Sequence, residues 1–333
     1  MTTKASSKKS EAKKGRSIYL DKSTDKKLVE IANETGTSIG NVVKELIDEK
    51  ESKQKSTDQS LPQIIIFSNF KGGVSKTSSV REVAYNLSTD GYKVLLIDLD
   101  GQSNLSSSFK VYHPRNLPGY ISDVILANSE GDRKGLEDVL IETEWQNVDL
   151  VAANLTFAAA DNKIRSQEGG AIDRRLLYAI EDFIPEHPYD FILIDCPPTA
   201  DSVVQNAILA LQAGNSQSMV IIPLNPDVQA FDGMDITLQL IDTISQDNRL
   251  PKPKVKVLWT QAKTNTVLFK QLFEELKEDY PKLSVFMTVI PNSTKVGEAR
   301  ALQQPVTSYA KRSQPALRYR LLTEEILSGR ESS

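Results

Sequence analysis

The chain runs to 333 residues, 39% hydrophobic and 25% charged, enough to bury the core of one large α/β domain and leave a small appendage. No apolar run approaches the roughly 18–20 residues of a membrane-spanning helix, and the opening MTTKASSKKSEAKK has no apolar stretch behind its lysines, so a cytoplasmic protein without span or leader is expected. One cysteine, Cys196, and two histidines, His113 and His187, exclude a disulfide framework, a thiolate zinc site and a cysteine-held iron–sulfur cluster within one chain.

In residues 1–20, Lys4, Lys8, Lys9, Lys13, Lys14 and Arg16 stand against Glu11 alone, although the whole chain carries a net charge of −4. A basic arm on an acidic body points to a polyanionic partner at that end. Residues 1–13 lack aromatic and β-branched side chains apart from two threonines and read as a disordered arm. Residues 16–20 alternate polar and apolar, which predicts a short strand with Ile18 and Leu20 on one face. A helix carrying Leu28, Ile31 and Ala32 follows and ends at Gly36. Thr37 or Ser38 can cap a second helix with a stripe at Ile39, Val42, Val43, Leu46 and Ile47. This unit, residues 14–49, is too small to bury its own core, and two copies together would solve that. Residues 50–62 are polar, close on Pro62 and read as a linker.

From Gln63 onward the pattern changes. Apolar runs at 64–67, 94–97, 191–194, 219–222 and 255–259, the last interrupted by Lys256, are spaced widely enough for helices between them. They predict a doubly wound, mostly parallel sheet flanked by helices over residues 63–328, with a polar tail at 329–333. After the first run comes Phe70-Lys71-Gly72-Gly73-Val74-Ser75-Lys76-Thr77-Ser78, then a helical stretch. Strand, glycine loop and helix start make a phosphate cradle, in which backbone N–H groups and a lysine meet the phosphates and a threonine hydroxyl can bind Mg2+. The strict pattern G-x-x-x-x-G-K-[ST] fails at both glycines, where Phe70 and Ser75 stand.

Residues 71–77 resemble the deviant loop K-G-G-V-G-K-T of the ParA/MinD family of ATPases, with Ser75 for one glycine. The resemblance implies ATP and Mg2+ as cofactors and residues 71–78 as the nucleotide loop. It makes Lys71 a lysine that reaches the nucleotide of a second copy, Lys76 the phosphate lysine and Thr77 a magnesium ligand. Residues 94–104 resemble the family's D-x-D-P-Q segment, with Gly101 where proline is usual. Asp100 would orient the attacking water and Asp98 would lie near the metal. Residues 189–198 resemble its Walker B strand, where Asp195 would hold Mg2+ through water. Taken singly, each aspartate is also an ordinary strand-end residue; three motifs in order are what carry the resemblance. Pro291 corresponds to the proline that borders adenine in this family, and Cys196 reads as a small core residue.

Membrane-bound relatives end in a broad amphipathic helix, whereas residues 317–327 here read as a helix packed on the body, with Glu324 and Glu325 disfavouring anionic lipid. Lys295, Arg300, Lys311, Arg312, Arg318 and Arg320 fit non-specific contacts to DNA phosphates. Residues 13–48 resemble a ribbon-helix-helix DNA-binding domain. There the paired strands would enter the major groove with Lys14, Arg16, Ser17 and Tyr19, while Thr37 and Ser38 anchor a phosphate. A helix-turn-helix over residues 25–48 is the other reading of that stretch. The expectation is a homodimeric, nucleoid-associated partition ATPase of plasmid or chromosome, stimulated by a ParB-like centromere-binding adaptor. A DNA-binding transcriptional regulator with a decayed ATPase fold is the alternative, and a membrane-placement ATPase a third reading.

Overall fold

The computed structural model describes residues 22–35, 37–44, 61–113, 116–126, 134–155 and 174–331. The chain divides into two units, Met1–Thr57 and Asp58–Ser333. In the first, helix α1 (Lys22–Thr35) buries Leu28 and Ala32 against Val42 of a second helical stretch, residues 39–44. Ser38 Oγ accepts from the Asn41 N–H at 3.3 Å, the hydroxyl cap expected there. Among the described residues of this unit, Val29, Ile31 and Ile39 are exposed. The basic arm, the strand expected at 16–20, Leu46, Ile47 and most of the linker lie outside the described residues.

The second unit is built on one sheet of eight strands: β1 (Gln63–Phe67), β2 (Val94–Asp98), β3 (Leu140–Glu142), β4 (Val148–Val151), β5 (Phe191–Asp195), β6 (Met219–Leu224), β7 (Lys254–Trp259) and β8 (Ser284–Val285). Their order is β3-β4-β2-β5-β1-β6-β7-β8, parallel throughout except for the β3–β4 pair. The five apolar runs of the sequence are the five adjacent strands β2-β5-β1-β6-β7. The unexpected β3, β4 and β8 lie at or next to the edges and are only 3, 4 and 2 residues long, too short to leave a periodic signal.

Alternation along β1 explains the layers. Ile64 and Ile66 enter one core and Ile65 and Phe67 the other. Helices α3 (Arg175–Phe183), α4 (Ser202–Ala210) and α5 (Asp232–Asp247) cover the first face. Helices α2 (Lys76–Thr89), α6 (Thr294–Ala301), α7 (Val306–Tyr309) and α8 (Gln314–Glu331) cover the second. The terminal helix packs on the body as expected, through Tyr319, Leu322 and Ile326. Among the described residues no helix is long and apolar enough to cross a membrane. Because β1 sits between β5 and β6 while β2 lies beyond β5, Asp98, Asp195 and the glycine loop meet at the C-terminal ends of adjacent central strands. That is where ligands enter open α/β sheets.

Candidate nucleotide-binding site

The loop from Ser68 to the start of α2 is held by side chains far away in sequence. Asn69, fully buried, donates to Pro223 O at 2.8 Å and accepts from the Lys71 N–H at 2.8 Å. A Cβ on Gly233 would stand 2.4 Å from Asn69 Oδ1 and 2.8 Å from Lys71 N, so this close approach requires glycine. Thr260 Oγ1 donates to Val74 O at 3.0 Å. Gly73 and Ser75 have positive φ, 75° and 68°. Glycine takes that angle freely; serine takes it at a cost of roughly 1–2 kcal/mol. Gln261 Nε2 bridges the turn, donating to Gly73 O at 2.6 Å and Ser75 Oγ at 3.0 Å.

Lys76 opens α2 and is 7% exposed; its Nζ donates to Asn69 O and Lys71 O, both at 3.0 Å. Burial pulls its pKa below the ordinary lysine value, against the attraction of Asp195, Cys196 and Asp100. Lys71 Nζ is turned away from the loop and paired with the Asp227 carboxylate, with Gln229 O at 3.3 Å.

Asp98 and Asp195 are register neighbours on β2 and β5, both fully buried. Thr77 Oγ1 donates to Asp195 Oδ2 at 2.7 Å, while Asp195 Oδ1 is buried without a partner. Burial, then the neighbouring Asp98, pushes Asp195 well above the usual carboxylate range. Asp98 is spoken for: Oδ1 accepts from Asp100 N at 3.0 Å, and Oδ2 from Ser106 N at 2.9 Å and Ser106 Oγ at 2.6 Å. Burial still raises it to about 6. A buried acidic oxygen with nothing to bind, beside a threonine hydroxyl, is a donor set suited to Mg2+, which takes one or two carboxylates plus phosphate oxygens.

Residues 72–78, Arg81, Asp100, Gln102, Asn104, Ser107, Ser108, Pro198, Gln261 and Arg300 line one cavity of about 590 Å3. Ser75, Ser78, Gln261 and Arg300 also line a smaller one, about 200 Å3, with Pro291 and Asn292. The expected loop, Asp100 and Pro291 therefore share one continuous region. Arg81, Gln261 and Asp227 were not anticipated, and Arg300, expected on the DNA-facing surface, stands at the cavity rim. Of the other basic residues, Lys295 pairs with Glu298 at 2.7 Å and Arg320 with Asp90 at 2.6 Å. Lys311, Arg312 and Arg318 are exposed. Thr37 Oγ1 accepts from Asn41 Nδ2 at 3.1 Å; Lys14, Arg16, Ser17 and Tyr19 lie outside the described residues.

A glycine loop between a central parallel strand and a helix, with lysine and threonine at the helix start and an aspartate on the neighbouring strand end, defines a P-loop nucleotide-binding protein. The profile of the AAA domain family matches residues 62–257, and the chain belongs to that family. An uncharacterized Mycobacterium tuberculosis (strain CDC 1551 / Oshkosh) protein is 30% identical over 267 residues, 80% of this chain and 78% of that protein. The chromosome partitioning protein ParA of Myxococcus xanthus is 28% identical over 265 residues, 80% of this chain and 88% of that one. The structure of Mycobacterium smegmatis cobyrinic acid a,c-diamide synthase with bound ATP analog and magnesium matches with a TM-score of 0.66 and 25% identity. It covers 82% of this chain and 97% of that one. Within that family this chain is similar to chromosome-partitioning proteins of the ParA and Soj type.

Proposed function

We propose that the chain is a DNA-partition ATPase of a plasmid or chromosome, which binds ATP with Mg2+, closes face to face with a second copy and hydrolyses slowly. The observation that carries this reading is Asp195: a buried carboxylate bonded to Thr77 on one oxygen and to nothing on the other, beside Lys76. Magnesium, when bound there, would neutralise charge on the phosphate oxygens. Thr77 and Asp195 would hold it, with Asp98 fixing the strand-end loop behind them. Lys76 exchanges its two loop carbonyls for phosphate oxygens. Asp100, in the cavity wall, orients the attacking water. Lys71 leaves Asp227 to reach the nucleotide of the second copy.

Exposed Lys311, Arg312 and Arg318, with Lys295 and Arg320, give non-specific DNA contacts that weaken with salt. The first unit, as a ribbon-helix-helix dimer, adds sequence-specific binding and autoregulation, and a centromere-binding adaptor stimulates turnover. Ser75 at positive φ and Gly101 favour one rival, a DNA-binding regulator with a decayed ATPase fold. Thermal stabilisation separates them. ATP–Mg2+ at a hundredfold excess over Kd should stabilise the wild type by about 2.7 kcal/mol, and Lys76→Ala should lose this. Asp100→Ala should keep the stabilisation and lose turnover. A wild type that does not respond to ATP–Mg2+ is the regulator.

A further inference from the structure

Arg81 lies on α2 one turn beyond Ser78, on the same side of the helix. Helical side chains lean toward the helix N-terminus, so its guanidinium covers the turn carrying Thr77 and Ser78 and lines the same cavity. Arg81 is 2% exposed, and its Nε and Nη2 are buried without a hydrogen-bond partner. Its neighbour Glu82 does not satisfy them. Nη2 lies 3.7 Å from Glu82 Oε1, and both Glu82 oxygens already accept from the start of α7: Val306 N at 2.7 Å, Thr307 N at 3.1 Å and Thr307 Oγ1 at 2.9 Å. Burial works first against the Arg81 charge, Glu82 and Tyr319 support it, and Arg300 opposes it. A buried guanidinium with unmade donors and a second cation near it is an unfavourable arrangement that an anion in the cavity would relieve.

We infer that Arg81, with Arg300 at the rim, is a second anion-binding element of the nucleotide cavity and holds the α-phosphate. Position along the cavity selects that phosphate. Lys76 serves the phosphates at the helix start, and Pro291 and Asn292 line the smaller cavity beyond Ser78 and Arg300. The phosphate between those two ends is the α-phosphate. The inference rests on the ATP-site reading above. Because ADP and ATP share that phosphate, Arg81 strengthens both equally and adds nothing specific to the hydrolytic step.

The test is titration of the full-length protein with ADP and ATP in wild type, Arg81→Gln and Arg81→Lys. The glutamine variant should lose about tenfold in affinity for both nucleotides, the size of one charge-assisted contact. Arg81→Lys keeps the stem and charge and guards against a folding defect. It should lose less, and should shrink the wild-type preference between the two α-phosphorothioate diastereomers of ADP. A folded Arg81→Gln with wild-type ADP affinity overturns the assignment, as does one that weakens ATP alone. If Arg81→Gln does not fold, an unchanged diastereomer preference and ADP affinity in Arg81→Lys overturns it. A wild type that binds neither nucleotide overturns the ATP site itself.

Discussion

The ammonium of Lys71 is bound by the carboxylate of Asp227, on the loop that follows β6. Asp227 also accepts from Asn225 Nδ2 at 2.9 Å and Gln229 N at 3.0 Å, so the loop is shaped to present it. For Lys71 to contact a nucleotide on a second copy, this pair must open first. Asp227→Asn keeps a polar side chain in the loop and removes the charge that holds Lys71. The ATP concentration for half-maximal dimerisation, followed by sedimentation, is expected to fall about threefold, in keeping with a partly exposed ion pair of under about 1 kcal/mol. An unchanged midpoint would mean that opening the pair is not part of dimerisation.

Ser75 and Gln261 form a second such relationship. Both residues have positive φ, 68° and 51°, and the Gln261 amide ties Ser75 Oγ to Gly73 O. Ser75→Gly relieves the backbone but removes one acceptor; Gln261→Ala removes both bonds and relieves nothing. Gln261→Ala is therefore expected to weaken ATP several-fold and Ser75→Gly to leave it near wild type. In a double-mutant cycle the two should couple by about 1 kcal/mol, one neutral hydrogen bond. Additive effects on ATP affinity would show that the bridge does not support the loop.

The contrast between Lys76 and Gln261 shows what the sequence made legible. Lys76 and Thr77 stand next to the glycines in a local pattern whose strand, loop and helix signals agree, and Asp98 and Asp195 each end an apolar run long enough to be a buried strand. Gln261 acts across 186 residues of chain and Asp227 across 156, distances over which no spacing rule operates. Arg81 had a local signal, three positions after Ser78 on one helical face, but a lone arginine on a helix is most often a solvated one. Only its burial reveals it. In the same way Arg300 belongs to a run of basic residues in sequence, and the fold separates it from them by placing it at the cavity rim.

The Asp98–Asp195 pair makes a pH prediction. Asp98 has a pKa of about 6 when folded, against 3.8 for the free side chain. A carboxyl raised by folding stabilises fully below its unfolded value, and that stability is lost as pH rises through its folded value. The window is therefore 3.8 to about 6, and Asp195 shifts in the same direction. Nucleotide-free protein should gain about 1 kcal/mol between pH 7.5 and 5, roughly 2 °C in Tm. With ATP–Mg2+ the trend should reverse, because protonating Asp195 removes a ligand from the cation. Melting curves across that range with and without nucleotide read both effects, and parallel pH trends in the two series would refute the assignment.

Two DNA-binding modes are expected from the two units, and truncation separates them. Among the described residues of the first unit, Val29, Ile31 and Ile39 are exposed beside buried Leu28, Ala32 and Val42, apolar surface that a second copy would cover in the proposed dimer. The second unit carries exposed Lys311, Arg312 and Arg318 near the start of α8. Residues 50–62 reach at most roughly 45 Å when extended, enough to keep two first units together while the ATPase units open and close. In the proposed dimer, tethering would hold the first units at roughly millimolar effective concentration, so that dimerisation of the bodies would favour the sequence-reading pair. Removal of residues 1–55 should abolish discrimination between the upstream DNA of this gene and random DNA. ATP-dependent binding to random DNA should persist, with affinity falling steeply as salt rises, since phosphate contacts release counterions. A truncated protein that still selects its own upstream sequence in a gel shift would move specificity into the ATPase unit.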